Sequence, residues 1–268
     1  MGINFDIESK AFNFNFLGDG EGDVIRLTEH IHQVEAFGKC FYFGYEFGDD
    51  VDGSIRSQFI KYLKFDADIQ HDPDCSRFVQ KAINQLNEEV DLYEYDLVVI
   101  PESSSSLNEY MVRYIYRFAQ PMLRKIELIK SLPSRISFDM DGYEQQYLEA
   151  KLENGRPRYT EAQKQQVKQN IEQMMELINK KDYFTIAKDV KKSRMRAFVT
   201  DFLNFADEKD QETCSRIRSG NVLVVDDITT SGSTLNEILR TLRVLNPDNK
   251  ITIFSLLGRK DLMVETGN

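Results

Sequence analysis

Two segments of the chain share one pattern. A short apolar run meets a turn of small polar residues, and then apolar positions recur at intervals of three and four. In the first segment Leu97 to Ile100 is apolar without a break and Pro101 stops the run. Leu107, Met111, Ile115 and Phe118 then carry a helical period, with Ser105 or Ser106 able to cap it and Pro121 to end it. "KIELIKSLP" (125–133) predicts the next strand. In the second segment Val222 to Val225 is the apolar run, and Leu235, Ile238, Leu239, Leu242 and Leu245 mark the helix. "NPD" (246–248) ends it and "ITIFSLL" (251–257) predicts another strand. Strand–helix–strand units imply an α/β fold with a parallel sheet and right-handed crossovers.

The remaining chain divides by pattern into an N-terminal region, residues 1–90, and an insertion within the 91–268 core at about 134–190. There is no internal repeat and no low-complexity tract. The N-terminal region is rich in Phe and Tyr, and "CFYFGYEF" (40–47) predicts a strand. Its acidic segments "GDGEGD" (18–23) and "GDDVDGS" (48–54) suggest calcium loops, but the second places Phe59 where an EF-hand needs Glu, so turns fit better. In the insertion, Thr160 and Gln163 have capping-box spacing, and Val167, Ile171, Met174, Met175 and Ile178 form one stripe on an otherwise polar helix. That helix is either a surface helix packed on the core or a lid. Residues 189–208 predict a second helix with Met195, Phe198, Val199, Phe202 and Phe205 facing inward. Its start carries Lys191, Lys192, Arg194 and Arg196, which oppose a helix dipole unless they are simply solvated or meet a polyanion.

Composition narrows the function. The 268 residues are 41% hydrophobic and 29% charged, enough for a packed core. The formal net charge of −10 argues against nucleic acid as the main partner. Cys40, Cys75 and Cys214 are far apart and odd in number, which suits a reducing cytoplasm. The first residues show no signal-peptide pattern, and no stretch approaches the ~20 apolar residues of a membrane span. His30 and His32 would share one face of a strand, yet no third metal ligand accompanies them.

The chemistry concentrates in "NVLVVDDITTSGSTLNEILRTL" (221–242). Asp226 and Asp227 close a buried strand at the sheet edge where ligands bind in open α/β folds. Thr230, Ser231, Gly232, Ser233 and Thr234 then form a strand-to-helix loop, which offers backbone N–H groups, hydroxyls and a positive dipole end to an anion. The two carboxylates cannot serve that anion, but they can accept from a vicinal diol or help hold a divalent cation. A ligand with a phosphate beside a ribose diol meets both demands.

"VLVVDDITTSGST" resembles the signature that binds 5-phosphoribosyl-1-pyrophosphate (PRPP) in type I phosphoribosyltransferases. The resemblance implies a central parallel sheet flanked by helices, with an N-terminal hood and a helical insertion. It implies that Thr230 to Thr234 cradle the 5-phosphate and that Asp226 and Asp227 hold the ribose hydroxyls and act in catalysis. It places "PESSSS" (101–106) in the pyrophosphate loop, with Ser103, Ser104 and Ser105 as donors and Glu102 facing magnesium or its water shell. It also implies a mobile basic loop, for which Lys191 and Arg194 are the candidate catalytic cations. The reaction would displace pyrophosphate from PRPP by a nitrogenous base with Mg²⁺ as cofactor, met by Asp226 and Asp227 mainly through PRPP and water. Members that salvage 6-oxopurines usually carry Asp where Thr230 stands, which disfavours hypoxanthine or guanine. Eleven residues follow Leu257, so the hood that recognises the base is expected from residues 1–90. Members are often dimers, and by analogy a homodimer is expected. Two other readings stand beside an active enzyme: a PRPP-sensing or partner-binding protein with little turnover, and, lacking a second half with an ATP loop, a PRPP synthetase.

Overall fold

A computed structural model describes residues 2–6, 11–16, 25–26, 32–36, 39–46, 51–66, 71–150, 155–217, 220–229 and 232–258. The N-terminal region contributes strands β1 (Gly2–Asp6), β2 (Ala11–Asn15), β3 (Ile25–Arg26), β4 (His32–Ala36) and β5 (Lys39–Glu46), and helices α1 (Gly53–Lys61) and α2 (Pro73–Glu89). Then follow β6 (Leu97–Pro101), α3 (Leu107–Ile115), β7 (Arg124–Lys130), β8 (Ser137–Phe138), α4 (Met140–Tyr143) and α5 (Glu161–Asn179). The chain continues through α6 (Ile186–Asp189), α7 (Ser193–Arg196), β9 (Val199–Thr200), β10 (Leu203–Phe205) and α8 (Glu208–Arg216). It ends its described part with β11 (Asn221–Ile228), α9 (Ser233–Leu245) and β12 (Lys250–Gly258).

The main sheet has seven strands in the order β10-β7-β6-β11-β12-β5-β4. Its five inner strands run parallel, and β10 and β4 pair antiparallel at the two edges. This is the α/β architecture the apolar runs imply. Val222, Leu223 and Val224 of β11 align with Leu97, Val98 and Val99 of β6, so the two strand–helix–strand units lie side by side at the centre. β4 and β5 enter this sheet from the segment read as a hood, and β1, β2 and β3 form a separate antiparallel sheet.

Strand alternation divides the interior in two. Leu223 and Val225 pack with α2, α3 and the N-terminal aromatics Phe59 and Phe78. Val222 and Val224 face the opposite side, with Leu235, Ile238, Leu239 and Leu242 of α9 and the insertion residues Ile171 and Ile178. A strand apolar on both sides is what a doubly covered parallel sheet requires. On α2, Asp72 caps the first turn by accepting from the Asp74 and Cys75 amides at 2.9 and 3.1 Å, and Pro73 sits at the first helical position.

One helix expectation holds between residues 155 and 208 and another is overturned. Thr160 and Gln163 form a reciprocal capping box at the start of α5. Residues 189–208, by contrast, are not one helix. They break into the end of α6, then α7, β9 and β10. Met195, Phe198, Val199, Phe202 and Phe205 are all buried as expected, but the edge of β7 claims 203–205 as an antiparallel partner. Asp201 adopts φ 62°, which no α-helix contains. The Lys191–Arg196 cations therefore do not crowd the start of a long helix. They lie on short turns, where the dipole argument does not apply. α3 ends at Ile115, so turns carry the chain from there to Pro121.

No helix among the described residues is long and apolar enough to cross a membrane. The acidic segment 18–23, His30 and residues 47–50 lie outside the described residues.

Candidate functional site

Asp226 and Asp227 end β11, at the carboxyl edge of the central parallel strands, and both are buried. Successive side chains of a strand point to opposite faces, so Asp227 continues the row of Leu223 and Val225 towards α3, and Asp226 the row of Val222 and Val224 towards α9. They line a cavity of about 280 Å³.

Donors bond both carboxyl oxygens of Asp227. Lys64 Nζ stands 2.8 Å from its Oδ1, and the Ile228 amide donates to the same oxygen at 2.7 Å. The Ser103 and Ser105 hydroxyls donate to Oδ2 at 3.4 and 3.3 Å. The sequence-predicted pyrophosphate loop and the sequence-predicted acid pair thus touch directly. Parallel pairing of β6 with β11 makes this contact, because it brings both strand ends and the loops that follow to one edge.

Asp226 is held differently. Its Oδ1 accepts from the Asp227 amide at 3.0 Å. Burial, with the Asp227 charge beside it, pushes its carboxyl well up, to about 8, against the opposing pull of Lys64. Burial and the neighbouring charge thus favour the protonated form of Asp226, beside an Asp227 side chain enclosed by donors.

The two helix starts differ in how far they are described. Ser106 is the N-cap of α3 but makes no side-chain capping bond, and the Ser105 amide is satisfied by Ser103 Oγ at 3.2 Å. Gly232 precedes α9 with φ 70° and ψ 0°, the left-handed conformation a side chain disfavours. Ser233 is buried, and Thr234 lines the cavity. Thr230 and Ser231 lie outside the described residues.

Glu102 lines the cavity and is exposed, and its Oε2 accepts the Lys130 amide at 2.8 Å. That carboxylate fastens the loop to β7. Ser103 and Ser104 line the cavity, while Ser105 is buried and is not part of its lining.

Three cations line the cavity: Lys64, Lys130 and Arg196. Of the predicted basic cluster only Arg196 does so, oriented by a bond from its Nε to the Val190 carbonyl at 2.6 Å. Lys191 and Arg194 are exposed and are not part of the lining, and Arg194 lies near Tyr143. Lys64 and Lys130 carry no motif, so sequence spacing gives no signal for them. Lys64 follows α1 in a π-helical turn, Tyr62–Asp66, and Lys130 is the last residue of β7. Phe184, Ile186 and Phe202 complete an apolar wall from the insertion side.

No group of three or more His, Cys, Asp or Glu among the described residues could by itself hold a metal. Asp226 and Asp227 supply two carboxyls, a set that suits magnesium taking its other oxygens from phosphates and water. Burial pushes the Cys75 and Cys214 thiols up, to about 12, so neither is a thiolate near neutral pH.

No protein-family model matches this chain. No curated protein matches it either. Among solved structures, the chain is similar to a hypoxanthine phosphoribosyltransferase from Staphylococcus aureus, at 14% sequence identity and a TM-score of 0.32. The match covers 69% of this chain and 63% of that one. What the site can do therefore rests on its own residues.

Proposed function

We propose that the protein binds PRPP in this cavity and transfers its 5-phosphoribosyl group to a nitrogenous base. The observation that carries the reading is the contact of Ser103 and Ser105 with Asp227. It brings a hydroxyl loop at one helix start against an acid pair whose strand leads to a second helix start. Few ligands need carboxylates for a diol between two donor-rich loops for phosphates, and PRPP is one.

In this reading the Gly232–Thr234 turn and the α9 amides receive the 5-phosphate, with Thr230 and Ser231 beside them. Ser103, Ser104 and the start of α3 receive the pyrophosphate, aided by Lys64, Lys130 and Arg196 as fixed positive charge at the departing group. Asp226 and Asp227 accept from the ribose hydroxyls and hold the ring in register. Magnesium, met by these two carboxyls and the phosphates, would supply further neutralisation of the pyrophosphate. Phe184, Ile186 and Phe202 limit water, which would otherwise hydrolyse an oxocarbenium-like transition state. Lys191 and Arg194 could act only after the 180–196 segment closes over the ligand, and their role is part of the proposal.

The test is pyrophosphate release from PRPP and Mg²⁺ across a panel of purine and pyrimidine bases. Asp226→Asn/Asp227→Asn should abolish it. No release with any base, together with no heat of PRPP binding by calorimetry, would refute the reading. One observation favours a second reading, a PRPP sensor with little turnover: Lys64 already neutralises one of the two acids from within the chain. PRPP-dependent stabilisation against heat, with no base supporting turnover, would select it.

A further inference from the structure

A serine hydroxyl has a single proton to donate. Ser103 and Ser105 both direct theirs at Asp227 Oδ2, over 3.4 and 3.3 Å. Their oxygens also stand 3.3 Å apart, and Ser103 Oγ accepts the Ser105 amide at 3.2 Å. On the other oxygen of Asp227 lie Lys64 Nζ at 2.8 Å and the Ile228 amide at 2.7 Å. An ionised carboxyl accepts at about four positions, so these donors leave Asp227 no unused one. A ligand hydroxyl that reaches it must displace a donor already there.

The four donors are not equally held. Those on Oδ1 are short, and one of them is a charged group. Those on Oδ2 are long for hydroxyl donors and therefore weak. Of the two hydroxyls on Oδ2, Ser103 lines the cavity with Asp227, whereas Ser105 is buried and outside the lining. Ser103 is thus the donor for which an occupant can compete. A phosphate oxygen that takes its proton leaves Oδ2 short of a donor, in a side chain only 3% exposed. A buried acceptor stripped of its donor is costly, and a ribose hydroxyl at Oδ2 would restore the bond.

We infer that Ser103 is a hydrogen-bond switch that couples the pyrophosphate half of the ligand to the ribose half. The inference rests on the PRPP reading of this cavity. Pyrophosphate draws the Ser103 hydroxyl off Asp227 and opens Oδ2 to a ring hydroxyl. A ring hydroxyl at Oδ2 in turn releases Ser103 to the pyrophosphate. The proton stays on the Ser103 oxygen throughout, and only its acceptor changes. Lys64 and the Ile228 amide keep hold of Oδ1, so the Asp227 side chain stays in place during the exchange. Each half then binds better in the presence of the other, by the same factor in both directions. The site thereby favours a ligand that carries both halves over either fragment alone.

The test is calorimetric titration of the full chain with two probes. One is pyrophosphate with Mg²⁺, and the other is a ribose 5-phosphate analogue without the C1 hydroxyl, so that both fit at once. Saturating pyrophosphate should raise the affinity for the analogue about fivefold or more, and the analogue should do the same for pyrophosphate. An analogue that also lacks the 2- and 3-hydroxyls should gain less than about twofold. Ser103→Ala should tighten the analogue alone and weaken pyrophosphate alone, opposite changes that a damaged fold would not produce. It should also bring the coupling within about twofold of none, and Ser103→Thr, which keeps the hydroxyl, should restore it. Absence of coupling in the wild type, or coupling that survives Ser103→Ala, would overturn the switch. With PRPP still binding, the function proposed above would then stand. If PRPP also failed to bind, both would fall.

Discussion

The Lys64 ammonium stands 2.8 Å from the Asp227 carboxylate, joining the turn after α1 to the end of the central strand. Asp227 is 3% exposed at its side chain and Lys64 25%, so this is a pair at the edge of burial rather than on the surface. It ties the N-terminal region to the chemistry of the sheet edge.

Removing the ammonium leaves a buried carboxylate with hydroxyl and amide donors only. Lys64→Met is expected to lower stability by about 1–3 kcal/mol, less than for a fully enclosed pair because water reaches Lys64. Urea unfolding measures it, and a double-mutant cycle with Asp227→Asn should show that most of the loss is coupling between the two. Strict additivity of the two losses would contradict the pairing.

Asp226 makes stability depend on pH. An aspartate in the unfolded chain titrates near 3.9, whereas burial raises this one to about 8 in the folded chain. A folded state that holds the proton more tightly is favoured fully below about pH 4 and loses that advantage as pH rises towards about 8. The wild type should therefore be more stable at pH 5 than at pH 8.5. In Asp226→Asn this slope should be largely gone, which thermal unfolding across that range would reveal.

Gly232 enters α9 in the left-handed region, φ 70° and ψ 0°. A Cβ there costs roughly 1–2 kcal/mol, so Gly232→Ala should lose about 1 kcal/mol of stability or shift the turn. Because the same turn is the proposed phosphate cradle, PRPP affinity should fall at least about tenfold. Calorimetry and urea unfolding should move together in this variant. Lost stability with unchanged affinity would separate the turn from phosphate binding.

The α5 capping box gives a contrasting case. Thr160 Oγ1 accepts the Gln163 amide at 3.3 Å, and Gln163 Oε1 accepts the Thr160 amide at 2.9 Å. Thr160→Ala should cost about 1 kcal/mol. Hydrogen exchange in the first turn of α5 should speed up while PRPP affinity stays unchanged, since neither residue lines the acid-pair cavity.

Much of this site is written in local pattern. The run Val222–Val225, the acid pair and the Gly232 turn follow one another closely, and a strand that ends on charges must deliver them to the sheet edge whatever surrounds it. The Thr160 box is local in the same sense. The 189–208 segment shows the limit of such reading. Its apolar spacing satisfies a helix, but an open edge on β7 offered hydrogen bonds that local spacing does not register, and β10 formed instead.

The sequence by itself determined the two strand–helix–strand units, their turns and the residues at their ends, because period, capping and turn chemistry act over a few positions. Only the tertiary structure decided that Ser103 and Ser105 meet Asp227, that Lys64 rather than Lys191 or Arg194 supplies the adjacent charge, and that β5 joins the sheet beside β12. Those outcomes depend on which strands pair and which faces bury together. That choice is made by the free energy of the whole core, and no single stretch of the chain contains it.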